Sequence, residues 1–339
     1  MLWSLQRSLF NCCAALKFVW MQLTAIKQFE ENSVIQGFFV CLEKRLRTTR
    51  SGDAYLDLLL QDASGRITAR IWENADHFNR QFDAGDAVAV KGSVERYKGA
   101  LQLICSQVAR ATAERYARYG FREELLIPTI DEDPKELWAR LLELIGSVKN
   151  RPIKRLLRQV FKTWKATIMV IPASLKHHHP LRGGFLQHLV STGQLAQLLA
   201  GHEPRLDRDL LLAGVLLHDI GKVRGLKTGL DANYTDAGQL IGHVVLGRDI
   251  LQEAAAELGN VPPELLLKLE HMILSHQGSP AAGSPQPPRF PEALAAHHID
   301  RLDGQLDLIY RELDGVDDEA PFTDDRNHFR TALWKHYDR

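Results

Sequence analysis

Isolated histidine and aspartate residues interrupt apolar segments in the second half of this chain. The pair His218-Asp219 lies within LLLAGVLLHDIGKVRGL (210–226), where apolar residues recur with helical spacing. Burying a carboxylate beside an imidazole is costly unless a positive charge lies between them. The same residue types recur in other apolar segments with helical character, which contribute His188, His243, His271, His276, Asp300 and Asp303.

Together these residues have the composition of a metal site. A single histidine on an apolar face is more often an ordinary core residue. A His…His-Asp…His…His…Asp set, however, spread over about five helices, can hold one or two divalent cations in a bundle core. A cation would supply the charge that lets His218 and Asp219 lie side by side. Asp219 has two oxygens and can bridge two ions, an arrangement that suits phosphodiester hydrolysis.

Other catalytic arrangements are not evident. We find no Ser-His-Asp set, Walker loop or dinucleotide-binding glycine motif, and GLKTG (225–229) is too short for a phosphate loop. The predicted chemistry therefore needs no protein nucleophile.

Length and composition indicate a globular protein of about two domains. The 339 residues include 42 basic and 42 acidic side chains, so a polyanionic partner would have to bind a local patch. The cysteines form no C-x-x-C pair, which argues against a zinc knuckle or a disulfide framework and favours a reducing cytoplasm. They are Cys12, Cys13, Cys41 and Cys105.

The first twenty residues form a separate segment. Residues 1–20 are apolar but contain Arg7 and Lys17, and no small-residue cleavage site follows them. This pattern fits neither a membrane span nor a signal peptide. We expect an upstream translation start or a loose helix here; whether it is translated in the cell stays open. A domain start at Met21 is natural, and no membrane association is expected.

Residues 21–110 predict a small β-barrel. AYLDLLLQDASGRITARIW holds two alternating runs joined by a turn at residues 62–65, and a second hairpin turns at Lys98-Gly99. About five short strands in under about eighty residues favour a closed barrel of the OB type, because closure removes exposed strand edges.

Helical periodicity replaces the strand pattern after a polar connection at residues 111–132. Asp133 can cap a helix that begins at Pro134, with Glu136 as the reciprocal acid. Helices then continue through residue 316, apart from a surface loop at residues 277–291, and residues 317–339 form a tail. The predicted fold is α+β and multidomain, with an N-terminal barrel and an all-α bundle.

The phrases LLHDIGK and H188…H218-D219…D300 resemble the HD superfamily of metal-dependent phosphohydrolases. A preceding barrel, together with PASLKHHHPLRGGFLQH (172–188), LIGH (240–243) and ILSHQG (273–278), is similar to the YhaM family of 3′–5′ exoribonucleases. The resemblance covers about residues 34–310. It implies an OB-fold domain at residues 21–110 and an HD domain at residues 133–316.

The resemblance also implies roles for individual residues. Asp219 and Lys222 would be catalytic, and Lys222 would also contact substrate phosphate, although a solvated surface lysine is the alternative. His178, His179 and Arg182 would contact substrate, although loop residues without a role are nearly as common. His271 competes with His276 as a ligand. The implied metal ligands are His188, His218, Asp219, His243, His276 and Asp300.

The implied cofactor is a divalent metal, with one or two ions per chain. Histidine and carboxylate ligands suit Mn²⁺, Fe²⁺, Co²⁺ or Ni²⁺ better than Mg²⁺. The resemblance favours Mn²⁺.

Two features predict a single-stranded nucleic-acid partner. Aromatic and basic residues alternate on the barrel, as in platforms that stack bases, although Phe38 and Trp72 could instead be core residues. Residues 149–167 contain seven Lys or Arg and no acidic residue. A run of charged residues usually forms only a solvated face. Here the run also offers a path for the phosphates of a nucleic acid. The predicted nucleic-acid-binding residues are Phe38, Arg70, Trp72, Arg96, Tyr97 and Lys98.

The leading functional prediction is a cytoplasmic, metal-dependent 3′–5′ exonuclease of single-stranded RNA, with DNA also open as substrate. One alternative is an HD phosphohydrolase that acts on nucleotides or cyclic nucleotides. Another is a non-catalytic single-strand-binding protein, against which the full ligand set argues. Homo-oligomerisation is left open.

Overall fold

A computed structural model provides the architecture of the chain. It describes residues 23–49, 51–175, 178–230, 233–314 and 320–335. The predicted segment 1–20 lies outside these residues. No helix in the described part of the chain is both long and apolar enough to span a bilayer.

The chain divides into two compact units, Met1–Ile127 and Pro128–Arg339. The first unit contains a closed five-stranded barrel in the order β1-β2-β3-β5-β4. β3 and β5 run parallel, whereas the other neighbouring strands are antiparallel. The prediction of an OB-type barrel is confirmed. The strands are β1 (Val34–Thr48), β2 (Ala54–Asp62), β3 (Gly65–Ile71), β4 (Ala87–Tyr97) and β5 (Ala100–Arg110).

Turn chemistry fixes the hairpins where the sequence predicts them. Asp62 Oδ1 accepts hydrogen bonds from the backbone of Ser64 and Gly65, which closes the β2–β3 turn. Lys98 and Gly99 both have positive φ, 51° and 88°, as a tight two-residue hairpin requires. Strand alternation then fills the barrel with apolar side chains, including Phe39, Leu56, Leu60, Val90 and Leu103.

Short helices complete the first unit. Helix α1 (Ala75–Asn79) links β3 to β4, and α2 (Ala113–Tyr116) follows β5. The first compact unit ends at Ile127, so it includes most of the predicted connection at residues 111–132. The domain bounds read from the sequence remain predictions.

The second unit is helical, as predicted. Asp133 accepts a hydrogen bond from Lys135 N at the start of the first helix, and Pro134 occupies its first position. The helices are α3 (Pro134–Ser147), α4 (Arg151–Ile168), α5 (Gly184–His202), α6 (Arg208–Leu217), α7 (Lys222–Gly225), α8 (Asp236–Leu240), α9 (His243–Leu258), α10 (Pro263–Ser275) and α11 (Pro291–Asp314).

Helix α6 lies at the centre of this unit. Every residue from Leu210 to Leu217 is buried, because α6 packs against α4, α5, α10 and α11. A helix that is apolar on all sides must lie inside a protein. The fold therefore carries the end of α6, and with it His218 and Asp219, into the interior.

Candidate metal centre and nucleic-acid interface

The helices of the second unit bring the predicted metal ligands to one place. Each ligand lies at a helix end or on a buried helix face, where neighbouring helices converge. His188 lies on α5, His218 and Asp219 follow α6, His243 begins α9, His276 follows α10, and Asp300 lies on α11.

Two of the imidazoles are oriented by the helices that precede them. His218 Nδ1 donates to the carbonyl oxygen of Val215 at 2.6 Å, and His276 Nδ1 donates to that of Ile273 at 2.8 Å. In both cases the ring satisfies a carbonyl left unpaired at the helix C-terminus. The Nδ1 hydrogen is thereby used, so Nε2 of each neutral ring presents a lone pair to the cluster.

A first group of ligand atoms forms around His188 and His218. Their Nε2 atoms lie 3.2 Å apart, and Asp300 Oδ1 lies 3.4 Å from His188 Nε2 and 3.3 Å from His218 Nε2. Asp219 Oδ2 lies 3.3 Å from His218 Nε2. His188 Nδ1 lies 2.7 Å from Asp303 Oδ2 on its other side. The lone pairs and negative oxygens of this group converge on a small volume that suits a cation.

A second group forms on the other oxygen of Asp219. His243 Nε2 and His276 Nε2 lie 3.2 Å and 3.4 Å from Asp219 Oδ1. Asp219 Oδ1 and His243 Nε2 are buried, and despite their 3.2 Å separation neither makes a hydrogen bond of suitable geometry with any described residue. Buried polar atoms normally have a hydrogen-bond partner, and a bound ion is one reason for an exception. This donor set therefore fits a divalent metal.

Charges in the cluster shift the pKa values of its members. Burial lowers the pKa of His218, but the carboxylates of Asp219 and Asp300 outweigh burial and raise it to about 10. Burial raises the pKa of Asp219, but Lys222 and His218 hold it well below its usual range. Burial lowers the pKa of His243 despite the nearby Asp219. The carboxylates of the first group thus favour positive charge within it.

Lys222 lies one helical turn after the His-Asp pair and contacts it. Its Nζ donates to Asp219 Oδ2, and the side chain is only 12% exposed. This position differs from that of a solvated surface lysine, the alternative that the sequence left open. Lys222 can neutralise Asp219 or turn to an incoming phosphate.

Two loop histidines of the KHHHP segment face different partners. The ring centroid of His178 lies 5.1 Å from that of His188, and its buried Nε2 has no partner in the described part of the chain. Burial and Lys222 lower the pKa of His178 to about 3. His179 instead bonds Asp303 through Nε2 at 2.9 Å. His178 thus faces the ligand cluster, whereas His179 lies behind it.

Arg182 and His271 are not brought into the cluster. Arg182 joins the segment before α3 through its backbone, which donates to Pro128 O, and among the described residues its side chain bonds none of the predicted ligands. His271 Nε2 accepts from the backbone N–H of Arg289. Of the two competing histidines, the structure therefore brings His276 rather than His271 to Asp219.

Gly221 allows helix α9 to approach the His-Asp pair. A Cβ atom at this position would lie 1.8 Å from the carbonyl oxygen of His243, closer than any side chain tolerates. The glycine of the HDIGK sequence is therefore a packing requirement, because the backbone of His243 must lie against it.

An aromatic and basic surface lies on the barrel. Trp72 and Tyr97 are 42% and 47% exposed, and the guanidinium of Arg70 lies 5.6 Å and 5.2 Å from their ring centroids. Lys98 Nζ lies 5.5 Å from the ring centroid of Tyr97, and Tyr55 stacks on Trp72 with centroids 4.7 Å apart. Exposed rings beside cations are the arrangement that stacks bases and follows phosphates.

Two other residues that the sequence predicts to bind nucleic acid have different surroundings. Phe38 is 7% exposed and packs edge-on against Tyr116 and Phe121, so its ring is not accessible to a base. Its assignment to the interface is corrected, because its ring serves packing instead. Arg96 pairs with Glu31 and donates to Gly99 O, yet remains half exposed.

Comparisons with known proteins agree with this architecture. The OB-fold nucleic acid binding domain family matches residues 40–110, and the HD domain family matches residues 185–305. The 3′–5′ exoribonuclease YhaM of Bacillus velezensis is 35% identical over 288 residues, which cover 85% of this chain and 90% of that protein. The chain belongs to the YhaM family.

Two further similarities are with a second relative and with a solved structure. YhaM of Bacillus subtilis is 36% identical over 78% of this chain and 83% of its own. The second OB-fold domain of replication protein A from Methanococcus maripaludis covers 26% of this chain and 94% of its own, with 18% identity and a TM-score of 0.23.

In this YhaM-family chain, sequence reasoning missed two residues beside the predicted sites. The sequence indicates Asp303 only as another acid on an apolar helix, although this residue bonds His188 directly. Its position one turn after Asp300 was the available signal. Tyr55 lies on the outward face of β2, since its neighbour Leu56 is completely buried, and strand alternation could have found it.

Proposed function

We propose that this chain is a metal-dependent 3′–5′ exoribonuclease that acts on single-stranded RNA. The observation that supports this most strongly is the position of Asp219. One of its oxygens faces the group that contains His218 and Asp300, and the other faces His243 and His276. The similar YhaM proteins carry the name 3′–5′ exoribonuclease. In this chain an OB-fold domain match precedes an HD domain match.

The residues that would hold metal divide into two groups that share Asp219. One group comprises His188, His218 and Asp300; the other comprises His243 and His276. Bound divalent ions supply Lewis-acid activation of water and stabilise charge on a phosphodiester undergoing in-line attack. Imidazole and carboxylate ligands favour a transition-metal ion, and we propose Mn²⁺.

Side chains around the ligands orient the substrate. The Lys222 ammonium group contacts Asp219, and an RNA phosphate would compete with that carboxylate for it. Burial and the nearby Lys222 lower the pKa of His178 to about 3, so this ring is neutral at physiological pH. Its unpartnered Nε2 can therefore contact substrate without repelling a cation. We assign phosphate positioning to Lys222.

The barrel surface would capture single strands without strong sequence preference. Trp72 and Tyr97 offer faces for bases, while Arg70 and Lys98 offer positive charge to the backbone. Stacking on aromatic rings tolerates any base. This capability favours a polymeric substrate over free nucleotides. A reducing cytoplasm suits the free buried thiols of Cys41 and Cys105.

Direction and substrate are tested together with 5′-labelled single-stranded RNA and DNA of one sequence. The full-length protein is treated with chelator and then supplied with Mn²⁺. We expect RNA products that retain the 5′ label and shorten one nucleotide at a time, and no products without metal. Hydrolysis of free nucleotides with intact RNA would instead favour a small-molecule phosphohydrolase.

A further inference from the structure

A buried hydrogen-bond network lies on the side of His188 that faces away from the first ligand group. Asp303 is 6% exposed, and its Oδ2 lies 2.7 Å from His188 Nδ1 and 2.9 Å from His179 Nε2. Its other oxygen, Oδ1, accepts a hydrogen bond from Ser191 Oγ. Every oxygen of this carboxylate thus has a donor.

The position of Asp303 excludes it as a ligand of the ion that His188 would bind. An imidazole presents its two nitrogens in divergent directions, and His188 directs Nε2 toward Asp300 and Nδ1 toward Asp303. One ring therefore connects a carboxylate inside the cluster with a carboxylate behind it.

A separate metal site is an alternative interpretation of this network, because the ligand atoms of His179, His188 and Asp303 lie within 4.8 Å of one another. The contacts favour hydrogen bonding instead. The nitrogen-to-oxygen distances of 2.7 Å and 2.9 Å are those of hydrogen bonds. Unlike Asp219 and His243, none of the three has a buried atom without a partner in the described part of the chain.

Several backbone contacts fix the position of His179. Its backbone has φ 43°, a left-handed conformation that is rare for a residue with a side chain. Its N–H donates to Asp307 Oδ2 at 2.7 Å, and its carbonyl accepts from Ala173 N. A Cβ atom at Gly184 would lie 2.2 Å from that carbonyl oxygen. Strain of this kind persists only where surrounding contacts fix it, and it clusters at functional sites.

We propose that Asp303 is a positioning residue of the metal centre. Supported by His179 and Ser191, it accepts the Nδ1 hydrogen of His188 and so fixes the tautomer and the orientation in which Nε2 faces the metal. This inference rests on the proposed metal centre. It reassigns His179, expected from the sequence to contact substrate, to the support of Asp303.

The test measures metal affinity, which does not depend on RNA hydrolysis. Full-length protein and the variants Asp303→Ala and Asp303→Asn are titrated with Mn²⁺ in competition with a fluorescent chelator. Loss of such a supporting residue typically weakens metal binding by about 10–100-fold. We expect that loss for Asp303→Ala and a smaller one for Asp303→Asn, whose amide oxygen can still accept one hydrogen bond.

Asp249→Asn is the matched control. Asp249 lies on α9 beside Arg248 and is half exposed, so this variant removes the same charge away from the ligands. We expect its Mn²⁺ affinity to equal that of the unaltered protein. Thermal unfolding in chelator establishes that each variant is folded. If Asp303→Ala does not fold, Asp303→Asn and His179→Gln carry the test.

A spectroscopic readout separates positioning from general structural support. With ¹⁵N-labelled histidine and diamagnetic Zn²⁺, His188 should show an Nδ1-bound hydrogen shifted downfield by the carboxylate, and Asp303→Asn should move that signal upfield. Unchanged affinity and an unchanged His188 signal in a folded variant would overturn the proposal. Failure of the unaltered protein to bind metal at all would overturn the metal centre itself, and this inference with it.

Discussion

The Nε2 atoms of His188 and His218 lie 3.2 Å apart, while the Nδ1 atoms of both rings face oxygen acceptors elsewhere. Two neutral imidazoles in this arrangement present lone pairs to each other, which is unfavourable. Either a proton or a metal ion must lie between them. The pKa of His188 is raised because hydrogen bonds to Asp300 and Asp303 outweigh burial, so protons are the alternative occupants.

Metal binding should therefore compete with protons. The pKa of His218 is raised to about 10, so below that pH a proton must leave before a cation binds. Mn²⁺ affinity should rise with pH between pH 6 and pH 8.5, by about tenfold per unit for each proton released. Calorimetric titration in two buffers of different ionisation enthalpy counts the protons. Affinity independent of pH would contradict the arrangement.

Asp219 should be indispensable for hydrolysis. Asp219→Ala removes the oxygens that face both ligand groups, so we expect RNA cleavage to fall to the level of the chelated enzyme. The nearly isosteric Asp219→Asn controls for cavity effects and should also be inactive. Circular dichroism establishes the fold, and Asp249→Asn serves as the charge control. Unaltered turnover by folded Asp219→Ala, after chelation and Mn²⁺ addition, would refute the assignment.

Gly221→Ala should damage the centre through backbone position alone. The added Cβ would lie 1.8 Å from His243 O, so α9 must move and carry His243 away from Asp219. A displacement of about 1 Å can cost about 10²-fold in rate. Gly225→Ala is the matched control, because its Cβ would make only ordinary contacts at 3.6 Å and 3.8 Å. Equal activity of the two variants would contradict this packing requirement.

Aromatic substitutions on the barrel should affect capture rather than chemistry. Trp72→Ala and Tyr97→Ala each remove a face for stacking, worth ~1–3 kcal/mol per base, so KM for long RNA should rise about 5–150-fold. Turnover of a dinucleotide should be unchanged. Tyr310→Ala, which removes a similarly exposed ring from α11, should leave KM unaltered. A fall in kcat without a rise in KM would argue against a capture role.

How much of this structure the sequence predicts depends on how far apart in the sequence the contacting residues lie. The turn at Asp62 and the cap at Asp133 follow from local hydrogen bonding, and both lie where the sequence predicts them. The barrel and helical bundle follow from periodicity.

Contacts between distant segments were harder to predict. Phe38 was expected at the interface, yet Tyr116 and Phe121 cover it from segments about eighty residues away, and no local pattern indicates such a contact. The side on which Asp303 meets His188 likewise depends on how α11 packs against α5.

These packing contacts determine where the barrel can be removed. If the barrel supplies RNA affinity and the helices supply chemistry, removing the first unit should raise KM for long RNA more than any single aromatic substitution does. Turnover of a small phosphodiester should survive, because the predicted ligands all lie beyond residue 180.

The deletion should end at Ile127, because one that ends at residue 110 would leave Tyr116 and Phe121 without Phe38. We expect the shorter deletion to aggregate more, as exposed apolar rings do. Size-exclusion chromatography and RNA titration at several salt concentrations compare the two proteins. Equal loss of activity on long and small substrates, in a truncated protein shown to be folded, would mean that the barrel helps to build the active site.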